Sequence, residues 1–394
     1  MRNKNKKLWS LLLAAGLAAG LSACGGGSGG VEVGPSAQPM GTLRAALTDA
    51  PSCGYETVHV TVQKLRVHGS ATAGENDSGW SELVLNPARR VDLLSLSNGV
   101  LEELGQMPLP AGRYNQLRLV LAENGGAGLP ANAVTPTGGA SVALDTPSGQ
   151  QSGIKLNAQI DVEAGKVADV VLDFDACKSV VRRGNSGRYN LKPVITVLPR
   201  LSDAGARVIG YVDASLANSG TRVSVQQGGV PIKATWPDAN GRFVLYPLPA
   251  GSYELVLAAG GRATAVMTGV PVVATTPTEV NSTALPITLP SSSERDVTGT
   301  LNPATATLRA LQTLGTTTVE VAWAPVLADS GAYALRLPIA APLKLAYVAN
   351  PVALNFQPEA TAAGKYRLEA ASNGVLKTAD IDVNAAVPPI DFSF

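Results

Sequence analysis

The sequence of 394 residues predicts an all-β protein made of three β-sandwich domains in series. Three observations predict it. Apolar residues alternate with polar ones over strand lengths, as where Val58, Val60 and Val62 interleave with His59, Thr61 and Gln63. Turn formers interrupt these runs, with 41 Gly and 27 Pro, while charged residues make up only 15%, which leaves little room for long amphipathic helices. The third is a recurring Ala-Gly-x-Tyr at 111–114, 250–253 and 363–366. Gly permits the tight turn, and a Tyr just inside the next strand can bury its ring while its hydroxyl reaches a backbone acceptor, a corner device of Greek-key sandwiches. An aromatic ligand platform is the functional alternative for these tyrosines. The spacings of 139 and 113 residues are too long and unequal for a solenoid.

The chain begins with a basic leader, Arg2, Lys4, Lys6 and Lys7, followed by an apolar run from Leu8 to Leu21. That run falls short of the roughly 20 apolar residues a spanning helix needs. Leu21-Ser22-Ala23-Cys24 closes it and resembles the lipobox of bacterial lipoproteins. The resemblance implies a signal peptide over 1–23, cleavage before Cys24, and acyl chains (palmitate among them) on Cys24. Several chains anchor stably where one alone binds marginally. An ordinary secretory signal with an incidental Cys is the alternative. Residues 24–40, opening with Gly25-Gly26-Gly27-Ser28-Gly29-Gly30, read as a flexible tether. Gly rather than Asp after the Cys points, by the same resemblance, to the outer membrane. Four of the 31 basic residues leave with the leader, so the mature chain has 27 against 30 acidic ones, a net charge of −3. A nucleic-acid partner is therefore not expected.

Residues 41–200 read as the first domain. Thr42–Leu47 is a first strand, and Val58–Val67 a second whose apolar parity flips at Leu65, which predicts a bulge near Lys64. Further strands are predicted at Trp80–Leu85, Tyr114–Leu121, Ile154–Val162, Val167–Phe174 and Tyr189–Leu198, with a short helix over Val100–Leu104 and a long loop around a weak strand from Gly125 to Gly153. Thr48-Asp49-Ala50-Pro51, the Val58-His59-Val60 strand, Val91-Asp92-Leu93-Leu94, Leu109-Pro110-Ala111-Gly112-Arg113-Tyr114, Gln151-Ser152-Gly153-Ile154-Lys155-Leu156, Asp173-Phe174-Asp175-Ala176 and Leu191-Lys192-Pro193-Val194 follow in order. Together they resemble a bacterial lipoprotein family known as a domain of unknown function, number 4382. The resemblance implies a surface lipoprotein domain and brings no catalytic residues.

Residues 205–290 form a second domain. Val208–Val212 opens it, Asp238-Ala239-Asn240-Gly241 turns into Arg242–Leu245, and Pro247–Leu255 supplies the next turn and strand. This order is similar to a carboxypeptidase-regulatory-like module, a transthyretin-like β-sandwich. Residues 295–394 look like a degenerate second copy, in which Val297-Thr298-Gly299, Asp329–Tyr333 and Ala363–Leu368 echo the opening, the turn and the last strand. Three sandwiches joined by short linkers would form a rod that projects its outer modules from the membrane.

Candidate chemistry is sparse. His59 and His68 lie nine residues apart, roughly 30 Å along a straight strand and too far to share a metal. No nucleophile elbow, zinc helix, phosphate loop or dinucleotide fingerprint occurs. Asp173 and Asp175 flank Phe174 and would share one strand face, with Asp49 as a possible third ligand; a hard cation or acid–base hydrolysis is the chemistry they would serve. Turn capping and ion pairing is the plainer reading of such carboxylates. Trp80, Trp236 and Trp323 fall one per domain and read as core. Cys53 and Cys177 remain as one possible disulfide pair, two buried thiols being the alternative. The expectation is a non-catalytic, lipid-anchored protein of the bacterial outer membrane or envelope, with no cofactor and a binding or structural role toward protein or glycan. The alternative is an envelope hydrolase or metal-dependent enzyme using Asp173 and Asp175.

Overall fold

The computed structural model describes residues 38–394 apart from 50–53, 126–127, 151, 185, 201–204 and 219. Residues 39–394 form one compact unit that is almost wholly β. The first module runs through β1 (Met40–Asp49), β2 (Tyr55–His68), β3 (Ser81–Asp92), β4 (Glu102–Pro110), β5 (Gly112–Leu121), β6 (Ala133–Pro136), β7 (Val142–Asp145), β8 (Ile154–Val162), β9 (Val167–Phe174), β10 (Val180–Arg183), β11 (Arg188–Leu191) and β12 (Ile195–Pro199). One sheet has the order β12-β9-β1-β4. The other runs β10-β11-β7-β6-β2-β5-β8, with β3 also on β2. Their facing sides share a core that includes Leu43, Leu47, Leu65, Leu119 and Phe174. β8 alternates strictly between buried and exposed residues, as a half-buried strand must. The parity flip in β2 coincides with a register shift between Val62 and Lys64 against both β3 and β5.

Three local expectations need correction. Tyr189–Leu198 is not one strand, because β11 ends at Leu191 and β12 starts at Ile195 in the other sheet. Val100–Leu104 is not helical: a 3-10 turn covers Leu93–Leu96 instead, capped by Asp92, and β4 begins at Glu102. The stretch from Gly125 to Gly153 carries two short strands, β6 and β7, which extend the larger sheet.

The second module contains β13 (Val208–Tyr211), β14 (Thr221–Gln227), β15 (Val230–Thr235), β16 (Arg242–Leu245), β17 (Gly251–Ala259), β18 (Ala265–Val272) and β19 (Thr278–Glu279). The third contains β20 (Glu294–Asn302), β21 (Thr307–Leu314), β22 (Thr317–Ala324), β23 (Ala332–Pro338), β24 (Leu343–Ala346), β25 (Gln357–Pro358), β26 (Lys365–Ser372), β27 (Val375–Asp382) and β28 (Phe392–Ser393). Sheets β16-β13-β19 and β15-β14-β17-β18-β24-β25 enclose one core; sheets β23-β20-β28 and β22-β21-β26-β27 enclose another.

The three cores are not strung out as a rod. β24 pairs in parallel with β18, so a strand from the third stretch completes a sheet of the second, and its Leu343 and Leu345 pack on the second core. Val256 and Val266 of the second stretch reach into the third core, and Trp236 packs on the first. Linker length alone cannot show this, because neighbouring modules associate through faces that each leaves apolar or oppositely charged.

Candidate functional site

The residues with chemical potential converge where the three modules meet. β1 and β9 run parallel with Thr48 opposite Asp173 and Asp49 opposite Phe174, so the ends of two central strands present Thr48, Asp49 and Asp173 together. Lys233, on the edge strand β15 of the second module, inserts its ammonium here. It donates to the Asp173 carboxylate and lies 3.5 Å from Thr48 Oγ1 and from the Asp49 carbonyl. Lys233 and Asp173 are both buried, with side-chain exposures of 1% and 8%. A charge so placed is tolerated only with its partner.

Asp49 is fully buried. Its Oδ1 accepts from the Ala176 N–H at 2.9 Å, while Oδ2 has no partner among the described residues. Burial pushes its carboxyl well above the usual carboxylate range, and the charges of Asp175 and Asp173 push the same way. Burial also raises Asp173, against the pull of Lys233. Asp175 does not share the strand face of Asp173, because β9 ends at Phe174. It caps the one-turn helix Ala176–Ser179, accepting from the Lys178 N–H at 3.0 Å.

A third buried carboxylate, Glu320 on β22, ties all three modules. Its side chain, 3% exposed, meets Lys178 Nζ of the first module at 3.0 Å, Arg222 of the second at 3.3 Å and Arg309 of its own at 3.8 Å. Its backbone N–H donates to Gln226 Oε1 at 2.7 Å, and Gln226 Nε2 returns a bond to the Glu320 carbonyl at 2.8 Å. The Asn98-Gly99 turn docks on the second module in a similar way: the Asn98 N–H donates to Thr235 Oγ1 at 2.8 Å, and the Val244 N–H donates to Asn98 Oδ1. Asn98 and Gly99 hold positive φ of 60° and 81° there, conformations that suit these two residue types.

Beside Glu320 a cleft of about 230 Å³ opens between the first and third modules. Val180, Val181 and Val194 form one wall, Leu308, Trp323 and Val326 the other, with Lys178, Lys192, Arg309, Glu320 and Glu369 as the charged lining. Lys192 is held by the strap that joins its motif to the one-turn helix: its N–H donates to the Ser179 carbonyl at 2.7 Å, and the Val194 N–H to Ser179 Oγ at 2.9 Å.

Asp49 and Asp173 thus meet around a lysine, and Asp175 lies beside them as a cap and not on the same strand face. Among the described residues no group of three His, Cys, Asp or Glu side chains could hold a metal ion. Lys233 and Glu320 escaped sequence reasoning, and only their position in otherwise apolar strands could have flagged them. His59 and His68 both lie half-buried on β2. His68 stacks beside Trp80 at 5.0 Å, a ring that also carries Arg66 and Arg118 at 4.6 and 5.1 Å. Two of the repeated tyrosines serve as corners, Tyr114 donating to the Pro110 carbonyl at 3.0 Å and Tyr253 to that of Pro249 at 2.7 Å, while Tyr366 instead donates to the distant Pro338 carbonyl at the end of β23. Cys24 lies outside the described residues, as does Cys53; Cys177 is buried in the one-turn helix. No helix among the described residues is long and apolar enough to cross a membrane.

Residues 40–193 match the family model described as a domain of unknown function, DUF4382. No curated protein matches the chain. Among solved structures, a mutant type II cohesin–X-dockerin complex from Acetivibrio cellulolyticus is similar at 22% identity, over 23% of this chain and 60% of that one, with a TM-score of 0.19. The chain therefore spans three-fifths of that relative's length. A streptococcal ancillary pilin aligns at 10% identity over 89% of this chain and 98% of its own, with a TM-score of 0.17. The major pilin SpaA of Corynebacterium diphtheriae aligns at 12% identity over 90% and 99%, also with a TM-score of 0.17. Such scores carry no conclusion about activity.

Proposed function

We propose that this chain is a non-catalytic lipoprotein of the bacterial outer membrane, anchored through acylated Cys24, that presents a binding surface for a protein or glycan of the envelope. One observation carries the non-catalytic reading. The carboxylates best placed for chemistry are engaged in joining modules, Asp173 with Lys233 and Glu320 with Lys178, Arg222 and Arg309. The resulting body is suited to presenting a surface. β27 is the edge of its sheet, and Val375 and Leu376 on it are 52% and 55% exposed, so an extended partner segment could add to it. Residues 205–290 and 295–394 act, in this reading, as transthyretin-like presenting modules.

The same reading pairs Cys53 with Cys177. Asp49 bonds the Ala176 N–H and the Tyr55 hydroxyl lies 3.4 Å from the Val180 carbonyl, so both flanks of Cys53 are held against both flanks of Cys177. Thiol counting on the denatured, unreduced protein would find no reactive Cys53 or Cys177 if the pair exists.

In-cell crosslinking followed by mass spectrometry tests the function. A stoichiometric partner lost from Leu376→Asp but kept by Leu129→Lys, a change at another exposed apolar position, supports the reading. Cosedimentation with isolated envelope polysaccharide covers a glycan partner. Failure of both to show association above background overturns the binding role. Anchoring is read separately, by palmitate labelling that Cys24→Ser abolishes.

A further inference from the structure

We propose that the cleft between the first and third modules binds a small carboxylate with an apolar body of six to eight carbons, its carboxylate held by Lys192. This inference is independent of the envelope partner, because it concerns the cleft between modules and not the exposed edge of β27.

Size sets the first limit. A cavity of about 150 Å³ accommodates benzene, and the cleft offers about 230 Å³. The difference leaves room for a carboxylate and a short link beyond a ring-sized apolar body. The walls fit such a body: valines on one side face Leu308 and the indole of Trp323 on the other.

Charge sets the second limit. Lys178, Arg222 and Arg309 are matched by Glu320, Glu369 and Asp175. Lys178 pairs with Glu320 and Asp175, Arg222 with Glu320, and Arg309 with Glu320 and Glu369. Lys192 is the fourth cation, and among the described residues no carboxylate pairs with it. Its ammonium donates only to the Thr305 carbonyl of the third module. Four cations against three carboxylates leave one positive charge on the lining of a largely apolar cleft. Burial lowers the Lys192 pKa, the direction expected of an ammonium that lacks a counter-ion. A monocarboxylate would complete the pairing, and its apolar body would displace water from the valine wall. A neutral apolar ligand would leave Lys192 unmatched, and a dianion would overshoot.

Phenylacetate is the probe, applied to the full chain in phospholipid nanodiscs with empty nanodiscs as the blank, and read by calorimetry and saturation-transfer NMR. Saturable binding is expected, and 2-phenylethanol, which keeps the ring without the charge, is expected to bind about tenfold more weakly or worse. Lys192→Met should weaken phenylacetate by a similar factor of about ten, while Lys192→Arg should stay within about threefold. Ala371→Leu, which fills the cleft from β26 without touching the charge, should abolish binding. No saturable binding to the unaltered chain would overturn the proposal, as would unchanged affinity in Lys192→Met or in Ala371→Leu. Should Lys192→Met fail to fold, Lys192→Arg and Ala371→Leu still decide the matter.

Discussion

Lys233 and Asp173 carry opposite charges into a buried junction, so each is tolerable chiefly because of the other. Lys233→Ala is expected to destabilise by about 3–5 kcal/mol, since the Asp173 carboxylate is left buried without its partner. The double change Lys233→Met with Asp173→Leu should recover most of that loss, because no charge remains to be stranded. Denaturant unfolding of both variants checks this, and a double variant no better than the single one would contradict it. Asp49 makes a different prediction. Burial, aided by Asp175 and Asp173, holds its folded pKa above the unfolded value of about 3.9. An acid raised in this way binds its proton more tightly when folded. Its contribution is therefore fully present below the unfolded pKa and is lost as the pH rises through the folded one. Asp49→Asn cannot ionise and keeps an oxygen to accept from Ala176. Its stability should match that of the unaltered chain in acid and exceed it increasingly above about pH 4, as thermal unfolding across pH would show.

Turns and corners decide how each strand enters its sheet. Tyr253 lies 2% exposed in the second core, and its hydroxyl bond to the Pro249 carbonyl closes the turn before β17. Tyr253→Phe keeps the ring and removes that bond, so a loss of about 1 kcal/mol is expected in denaturant unfolding. The turn before β16 is more demanding. Asp238 Oδ1 accepts from the N–H groups of Asn240 and Arg242, both at 2.9 Å, which closes the loop on itself. Gly241 then holds φ at +77°, and a Cβ there would sit 2.3 Å from the Val212 carbonyl oxygen. Gly241→Ala therefore combines a left-handed backbone with a collision against main chain, and should cost at least about 1–3 kcal/mol. Loss of no more than a few tenths would show that the turn relaxes in a way the fold does not suggest.

Across the whole molecule, β24 completing the sheet of β18, the Glu320–Gln226 backbone pair and the Lys233 insertion tie the modules into one body. Unfolding one module would strand buried polar groups on its neighbours. Calorimetry should accordingly show one cooperative transition for residues 39–394 instead of three. Gln226→Ala, which removes both bonds to the Glu320 main chain, should lower that single transition without splitting it. Three resolved transitions would mean that the junctions contribute little.

What the sequence by itself determined was local. Alternation placed β8, the parity flip placed the bulge in β2, and Ala-Gly-x-Tyr placed the two corners at Tyr114 and Tyr253, because each depends on the pleat or on a turn a few residues long. It marked Asp173 and Asp175 as notable and offered capping and ion pairing as one reading. Which cation, and where it came from, lay beyond it. Lys233 and Glu320 occupy the faces of β15 and β22 turned from their own cores, where a charged residue ordinarily meets water. Period-two patterning tells which side of a strand leaves its own core, but not whether that side then meets solvent or another module. Only the tertiary structure decided this, by bringing side chains 60 and 142 residues apart in the chain within hydrogen-bonding reach at a buried junction.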